Sequence, residues 1–244
     1  FQEAGIGELP DSMDDFRKAA IRIQEKTGEY GVVVLLNDFH LSQYVQAFGG
    51  GWGYGKTINS PENVEAIEFF VDLFVKDKVA ASVIELGWGW DGEAFAQGRA
   101  AMSTGGPWYI GFMKGAAPDL NYKLIPMPST TPGEPVMFTY GAAYSLMKSA
   151  KNKPEAVKVL SILASDEAQE LLYTTPLEYV PAKKKLIDDY IQYVPEFAPL
   201  KDAFLQGSDL EYPSQRKQFG DELVAGIEQL IYRPGRGTVK ELLD

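Results

Sequence analysis

The chain has 244 residues, of which 45% are hydrophobic and 23% are charged, and its net charge is −11. This acidic balance argues against nucleic-acid binding, because contacts with phosphate need a basic surface. With no cysteine and with His40 as the single histidine, the sequence excludes disulfides and cysteine-type zinc sites, and we expect neither a metal nor a cofactor. No stretch reaches the roughly 18 uninterrupted apolar residues of a membrane helix.

Capping residues followed by apolar residues three or four positions apart predict five main helices. Gly28 is predicted to end the first helix, and the last is predicted to run to about Tyr232. The predicted helices begin at five places along the chain: Ser12, Ser60, Asn152, Ser165 and Pro213.

Short apolar runs separate these helices and predict strands. The run YGVVVLL, residues 30–36, is rich in β-branched residues, as buried strands are. Three further strands are predicted at residues 100–103, 122–127 and 142–147. Strands spaced by helices indicate an α/β fold.

Glycine-rich loops hold every tryptophan of the chain: Trp52, Trp88, Trp90 and Trp108. The flat face of an indole suits the C–H face of a sugar ring, and an aromatic-lined cleft with a few polar groups is a common small-ligand site. Candidate polar partners lie close to these loops in the sequence: Asn37, Asp38, Gln43, Asp91 and Glu93. Each tryptophan could instead belong to the core, and Trp52 is the weakest candidate because GGGWGYG could be a structural turn.

Paired carboxylates keep a glycoside hydrolase open as an alternative. Asp38 with Asp91 or Glu93 could supply the acid and the nucleophile or base of such an enzyme. Nothing in their spacing marks catalysis, and His40 is more often a hydrogen-bonded structural residue than a catalyst. We therefore expect a binding protein without catalytic residues. A third possibility, a carbohydrate module appended to an enzyme, would be all-β, and the predicted helices argue against it.

Several stretches resemble one protein family. The run AFAQGRAAMSTGGPW, residues 94–108, is similar to a segment of bacterial ABC-transporter solute-binding proteins of the sugar-binding class, the group that contains maltose-binding protein. The opening FQEAGIGELPDSMDDFRKAA also looks like the family, with Met13 in place of the usual tryptophan. AFGGGW, SPENVEAIEFFVDL and KSAKNKPEAVKVLSILASDEAQELL follow in the family's order, so the resemblance covers nearly the whole chain.

The resemblance implies a periplasmic-binding-protein-like (type II) α/β fold, with two lobes that close on a sugar. Residues 1–140 and 182–244 would form the second, C-terminal lobe, and residues 141–181 would cross to a first lobe that is largely missing. The chain opens without a methionine and ends in TVKELLD, where the capping-box spacing of Thr238 and Glu241 begins a helix that is cut off after about a turn, so we expect an interior piece of a longer protein.

By the same resemblance, the protein would carry a sugar or oligosaccharide to the membrane permease of an ABC importer. Its location would be extracytoplasmic, either periplasmic or lipid-anchored at the cell surface. Trp108 would be the stacking residue of the site. The predicted ligand-binding residues are Trp108, Tyr109, Trp88, Trp90, Asp38, His40, Tyr212, Gln215 and Arg216.

Overall fold

The computed structural model describes residues 1–176 and 178–244 and has a parallel sheet flanked by helices. Its strands are β1 (Tyr30–Val34), β2 (Ala80–Ser82) and β3 (Ala100–Ser103), in the spatial order β2-β1-β3. Val32 lies opposite Ala80 on one side and opposite Met102 on the other. The predicted α/β class is confirmed, and β1 is central because its YGVVV run can be buried on both faces.

The helices fall where caps and apolar periodicity predict them, with others between. Ser12 and Ser60 accept hydrogen bonds from the backbone N–H groups of Asp15 and Asn63, and Gly28 ends α1 in the left-handed region. The last long helix begins at Arg216, slightly later than predicted. The helices are α1 (Met13–Thr27), α2 (Asp38–Ala47), α3 (Pro61–Val75), α4 (Asp91–Ala96), α5 (Trp108–Ala116), α6 (Lys153–Leu163), α7 (Asp166–Thr174), α8 (Ile187–Tyr193), α9 (Lys201–Gln206), α10 (Arg216–Tyr232) and α11 (Val239–Leu243).

The main core lies between the sheet and helices α1, α2, α3, α10 and α11. Trp52 is part of it: its side chain is fully buried, its Nε1–H donates to Ser42 Oγ at 2.7 Å, and its ring packs edge-on against Phe219. A second cluster joins α5 to the segment that contains α7 and α8, around Ile110 and Tyr190. Trp52 is therefore a core residue.

Two predicted strands are wrong. Residues 122–127 make only an isolated bridge, between Met127 and Val136, and residues 142–147 have no regular structure. Neither run lies beside a strand that could satisfy its backbone groups, and an unpaired strand is not stable in water. Apolar side chains of the second run are left in solvent: Tyr144 is 73% exposed and Met147 is 69% exposed.

Helix α6 is 11 residues long, yet none of its residues is buried. Val157, Val159 and Ile162 are each at least half exposed. An amphipathic helix normally covers its apolar stripe with other parts of the protein. Among residues 1–176 and 178–244, no helix has the length and apolar character needed to cross a bilayer.

Candidate functional site

The candidate site lies at the carboxyl edge of the sheet, where two strands lead into helices. β1 is followed by the start of α2, where the side chain of Asn37 caps the helix, and β3 is followed by the start of α5 at Trp108. In open parallel sheets, ligands bind outside this edge, and helix N-termini there direct free N–H groups towards them.

Aromatic rings gather at this edge around Phe39. Its ring centroid lies 5.5 Å from that of Trp108, 4.8 Å from that of Phe138 and 5.5 Å from that of Tyr140. Trp108 is half-buried and stands at the first position of α5, as predicted. Phe39 lies between the predicted site residues Asp38 and His40, yet the sequence reasoning missed it, and no periodicity marks Phe138 or Tyr140. We call these four rings the aromatic platform.

Glycines lie directly beneath the tryptophan rings. A Cβ atom built on Gly106 would stand 2.2 Å from Cζ3 of Trp108, and one built on Gly92 would stand 2.1 Å from Cη2 of Trp90. Contacts that close do not occur in real structures, so any larger residue at either position would have to displace the ring. Close approach, and not a left-handed backbone, explains why tryptophan and glycine are neighbours here.

A buried polar cluster lies beside the platform. Asp91 is 1% exposed, and its Oδ2 accepts hydrogen bonds from Tyr109 Oη and from Ser103 Oγ, the latter at 2.9 Å. Nε2 of His40 lies 3.4 Å from the same oxygen, and Nδ1 of His40 is 2.8 Å from Asn37 Oδ1. His40 thus has structural partners, consistent with the interpretation that favoured a hydrogen-bonded role.

Neighbouring groups determine which side chains of this cluster are ionised. Burial alone would raise the pKa of Asp91, but the His40 imidazole and the hydroxyls of Tyr109 and Ser103 outweigh it, so the pKa is lowered and the carboxyl is ionised. Burial, reinforced by the charge of Asp91, raises the pKa of Tyr109. An ionised, buried Asp91 is unsuited to act as a general acid.

Asp38 and Glu93, the other carboxylates suggested as catalytic, also accept hydrogen bonds. Asp38 Oδ2 accepts a hydrogen bond from Nε of Arg216 at 2.9 Å. A carboxylate oxygen of Glu93 accepts one from the backbone N–H of Gly89 at 3.2 Å. The described geometry therefore provides no observation that favours the glycoside hydrolase.

A polar chain leads away from the platform. The guanidinium of Arg216 lies 4.0 Å from the ring centroid of Tyr212, and Tyr212 Oη lies 3.1 Å from Ser42 Oγ. Burial raises the pKa of Tyr212 to about 12. Partial burial alone would lower the pKa of Arg216, but its hydrogen bond and ion pair with Asp38 outweigh this and the pKa is raised. The side chains of three predicted residues, Asp38, Tyr212 and Arg216, thus meet although they are far apart in the sequence.

An open groove of about 670 Å³ borders this chain, between residues 36–38 and one face of α10. The groove is lined by acidic and by basic side chains: Asp38, Asp221 and Glu228 are acidic, and Arg216 and Lys217 are basic. Such a volume is in the range of small-ligand pockets. Mixed charges provide both donors and acceptors, which suits a neutral polyhydroxy ligand better than a strongly charged one.

The remaining predicted residues are distributed differently. Trp90 packs edge-on against Tyr109, with 5.4 Å between ring centroids, beside the buried cluster. Trp88 packs against the small cluster around Val33 on the sheet and does not join the platform. Gln215 is exposed and precedes α10. No three acidic, histidine or cysteine side chains converge as metal ligands within the described part of the chain. The ligand-binding roles themselves stay predictions.

A sequence model described as bacterial extracellular solute-binding protein matches residues 1–170. The chain belongs to this family. Members of the family are binding proteins rather than enzymes, and the expected location outside the cytoplasm agrees with the family's description as extracellular. The resemblance seen in the sequence is thereby confirmed.

Individual relatives of this solute-binding protein are also described as binding proteins. The maltotriose-binding protein of Pyrococcus abyssi is 23% identical in an alignment of 205 residues that covers 75% of this chain and 41% of that protein. A putative binding protein of Brucella abortus is 26% identical over 175 residues, covering 67% of this chain and 42% of the relative. The chain thus spans about two fifths of the length of these curated relatives.

Solved structures show the same fold. An ABC-transporter solute-binding protein from Thermotoga lettingae, bound with α-D-tagatose, superposes with a TM-score of 0.81 at 22% identity, covering all of this chain and 65% of its own. The GacH receptor of Streptomyces glaucescens gives a TM-score of 0.81 at 21% identity, and the superposition covers 99% of this chain and 63% of the receptor. The periplasmic-binding-protein-like fold is therefore confirmed.

Proposed function

We propose that this chain is the ligand-binding lobe of the carbohydrate-binding component of an ABC importer. The observation that carries the proposal is the aromatic platform at the carboxyl edge of the sheet, next to a groove lined by charges of both signs. A sugar presents a C–H face that packs on an aromatic ring and hydroxyls that need donors and acceptors. Relatives that bind maltotriose or α-D-tagatose support the substrate class.

In this proposal Trp108 is the stacking residue, with Phe39 beside it. Asp38 and Arg216 would bond to hydroxyls from the groove side, and Tyr212 would hold the guanidinium in place by stacking. Burying the face of Trp108 under a sugar contributes about 25 cal/mol per Å² of apolar area, before the costs of association. The loaded protein would then dock on the membrane permease and release the sugar.

The direct test is calorimetric titration of the full-length protein with a panel of monosaccharides and short oligosaccharides, followed by chromatography of each mixture. We expect saturable binding of at least one sugar and no products. Turnover that Asp91→Asn or Glu93→Gln abolishes would instead establish the glycoside hydrolase. Binding of no carbohydrate at all would reject the proposed function.

The lobe arrangement is a second part of the proposal. Residues 1–140 and 182–244 would form this lobe, and residues 141–181 would cross to another lobe of the whole protein. The exposed apolar side chains of α6 support this, because Val159 and Ile162 lie near each other around the helix and present a face that a second lobe could cover. Hydrogen exchange should show α6 protected in the full-length protein and fast-exchanging in residues 1–244 alone. Equal protection in both would contradict the arrangement.

A further inference from the structure

We propose that Asp91 is a positioning residue of the site, which holds the Tyr109 ring, and through it the Trp90 indole, in a fixed orientation beside the aromatic platform. The inference rests on the proposed function for its effect on ligand affinity. Asp91 itself would not touch the ligand, because its side chain is almost fully buried.

The carboxylate of Asp91 connects elements that are separate in the sequence. It begins α4 and accepts from Ser103 at the end of β3 and from Tyr109 in the first turn of α5. On the α2 side it faces Nε2 of His40 at 3.4 Å. A single buried charge therefore ties together the starts of three helices, and these starts carry the rings of Phe39, Trp90 and Trp108.

The hydrogen bonds of His40 support this role. Asn37 Oδ1 accepts the backbone N–H of His40 as the helix cap and lies 2.8 Å from Nδ1, so Nδ1 must carry a proton to donate. Nε2 then faces the ionised carboxylate. The cluster is therefore arranged around the negative charge of Asp91.

The connection from Asp91 to Trp90 is the ring of Tyr109. The Tyr109 hydroxyl is fixed on Asp91, and its ring packs edge-on against Trp90 at 5.4 Å. Gly105 leaves the space for this ring, since a Cβ there would stand 2.4 Å from Cε2 of Tyr109. With the hydroxyl released, the ring can rotate away and the indole loses one of its supports.

Two variants of the full-length protein test the proposal: Asp91→Asn, which removes the charge, and Tyr109→Phe, which removes only the hydroxyl. Without ligand, both should raise the accessibility of Trp90 to acrylamide and change the near-ultraviolet circular dichroism, and the change should vanish in a Trp90→Phe background. With sugar, each should weaken binding about tenfold, or about 1.4 kcal/mol. The double variant should lose little more than either single one, since both break the same contact.

Asp77→Asn is the matched control, because Asp77 is also mostly buried and pairs with Arg17 at 2.6 Å, at the end of α3 away from the platform. It should lower the melting temperature but leave the Trp90 signal and the affinity unchanged. If Asp91→Asn and Tyr109→Phe behave like this control, Asp91 is merely structural and the inference fails. If the wild-type protein binds no sugar, the proposed function fails, and the ligand-free Trp90 signal alone decides on Asp91.

Discussion

The indole of Trp108 lies so close over Gly106 that a Cβ on this glycine would stand 2.2 Å from Cζ3 of the ring. Gly106→Ala should therefore push the indole out of its orientation and weaken sugar binding about tenfold or more, as displaced anchor residues do. Calorimetry on the full-length protein measures this. Gly115→Ala, also in α5 but with open space around its Cβ, is the control and should leave the affinity unchanged. Normal affinity in the Gly106 variant would mean that the indole position does not matter.

Trp108 and Trp52 should respond in opposite ways to truncation. Trp108→Ala should reduce affinity about thirtyfold, or about 2 kcal/mol, with a melting-temperature shift of only a few degrees. Trp52→Ala should instead cost about 3–5 kcal/mol of unfolding free energy, because it empties a core site and leaves Ser42 without its indole donor. Melting curves measure the stability of both variants, and calorimetric titrations with sugar measure their affinity. Loss of the folded state in Trp108→Ala would identify it as a core residue.

Arg216 should matter for recognition and hardly for stability. Its side chain is 44% exposed, so its ion pair with Asp38 contributes at most about 1 kcal/mol to stability in solvent. Arg216→Lys keeps the charge but loses the planar stacking on Tyr212 and the Nε donor, and it should weaken sugar binding several-fold. Arg233→Lys, an exposed position at the other end of α10, is the control. Equal affinities for both variants would remove Arg216 from the site.

Buried tyrosines should resist ionisation in the folded protein. Among the 13 tyrosines, burial raises the pKa most strongly for Tyr44, Tyr109 and Tyr190. Because their folded-state pKa lies above the unfolded value of about 10, they stabilise the fold below that pH, and the contribution is lost as pH rises past it. Ultraviolet absorbance at about pH 11 should show fewer phenolates in the native protein than in denaturant. Equal numbers of phenolates in the native and the denatured protein would mean that the hydroxyls of these tyrosines are accessible to water.

Local signals in the sequence predicted local structure well. Ser12, Ser60 and Ser165 cap helices because a hydroxyl that accepts the N–H three residues later needs only nearby residues. Strands are harder to predict from the sequence, since a strand is stable only when it pairs with another strand that can be far away in the chain. Ala80–Ser82 carries no strand signal and pairs with β1, whereas the apolar runs at 122–127 and 142–147 have no neighbouring strand.

The site was predictable only in part, for the same reason. Trp108 at the start of a helix follows from the glycines and the proline that precede it. The contact of Asp38 with Arg216 spans most of the chain and was not predicted; the family resemblance only placed each residue among the ligand-binding candidates. From the sequence Asp91 is a candidate catalytic acid, because no pattern there reveals that Tyr109 and Ser103 already use its oxygen.

The packing of Trp52 against Phe219 bears on how the chain reaches its native state. All three strands have been synthesised by Ser103, but the helix that closes the core over Trp52 comes almost at the end of the sequence. Contacts between such distant residues slow folding, since a long loop must close before they form. Until α10 arrives, the nascent chain exposes one side of its core. The fluorescence of Trp52 should therefore change late in refolding, when the two ends of the chain meet.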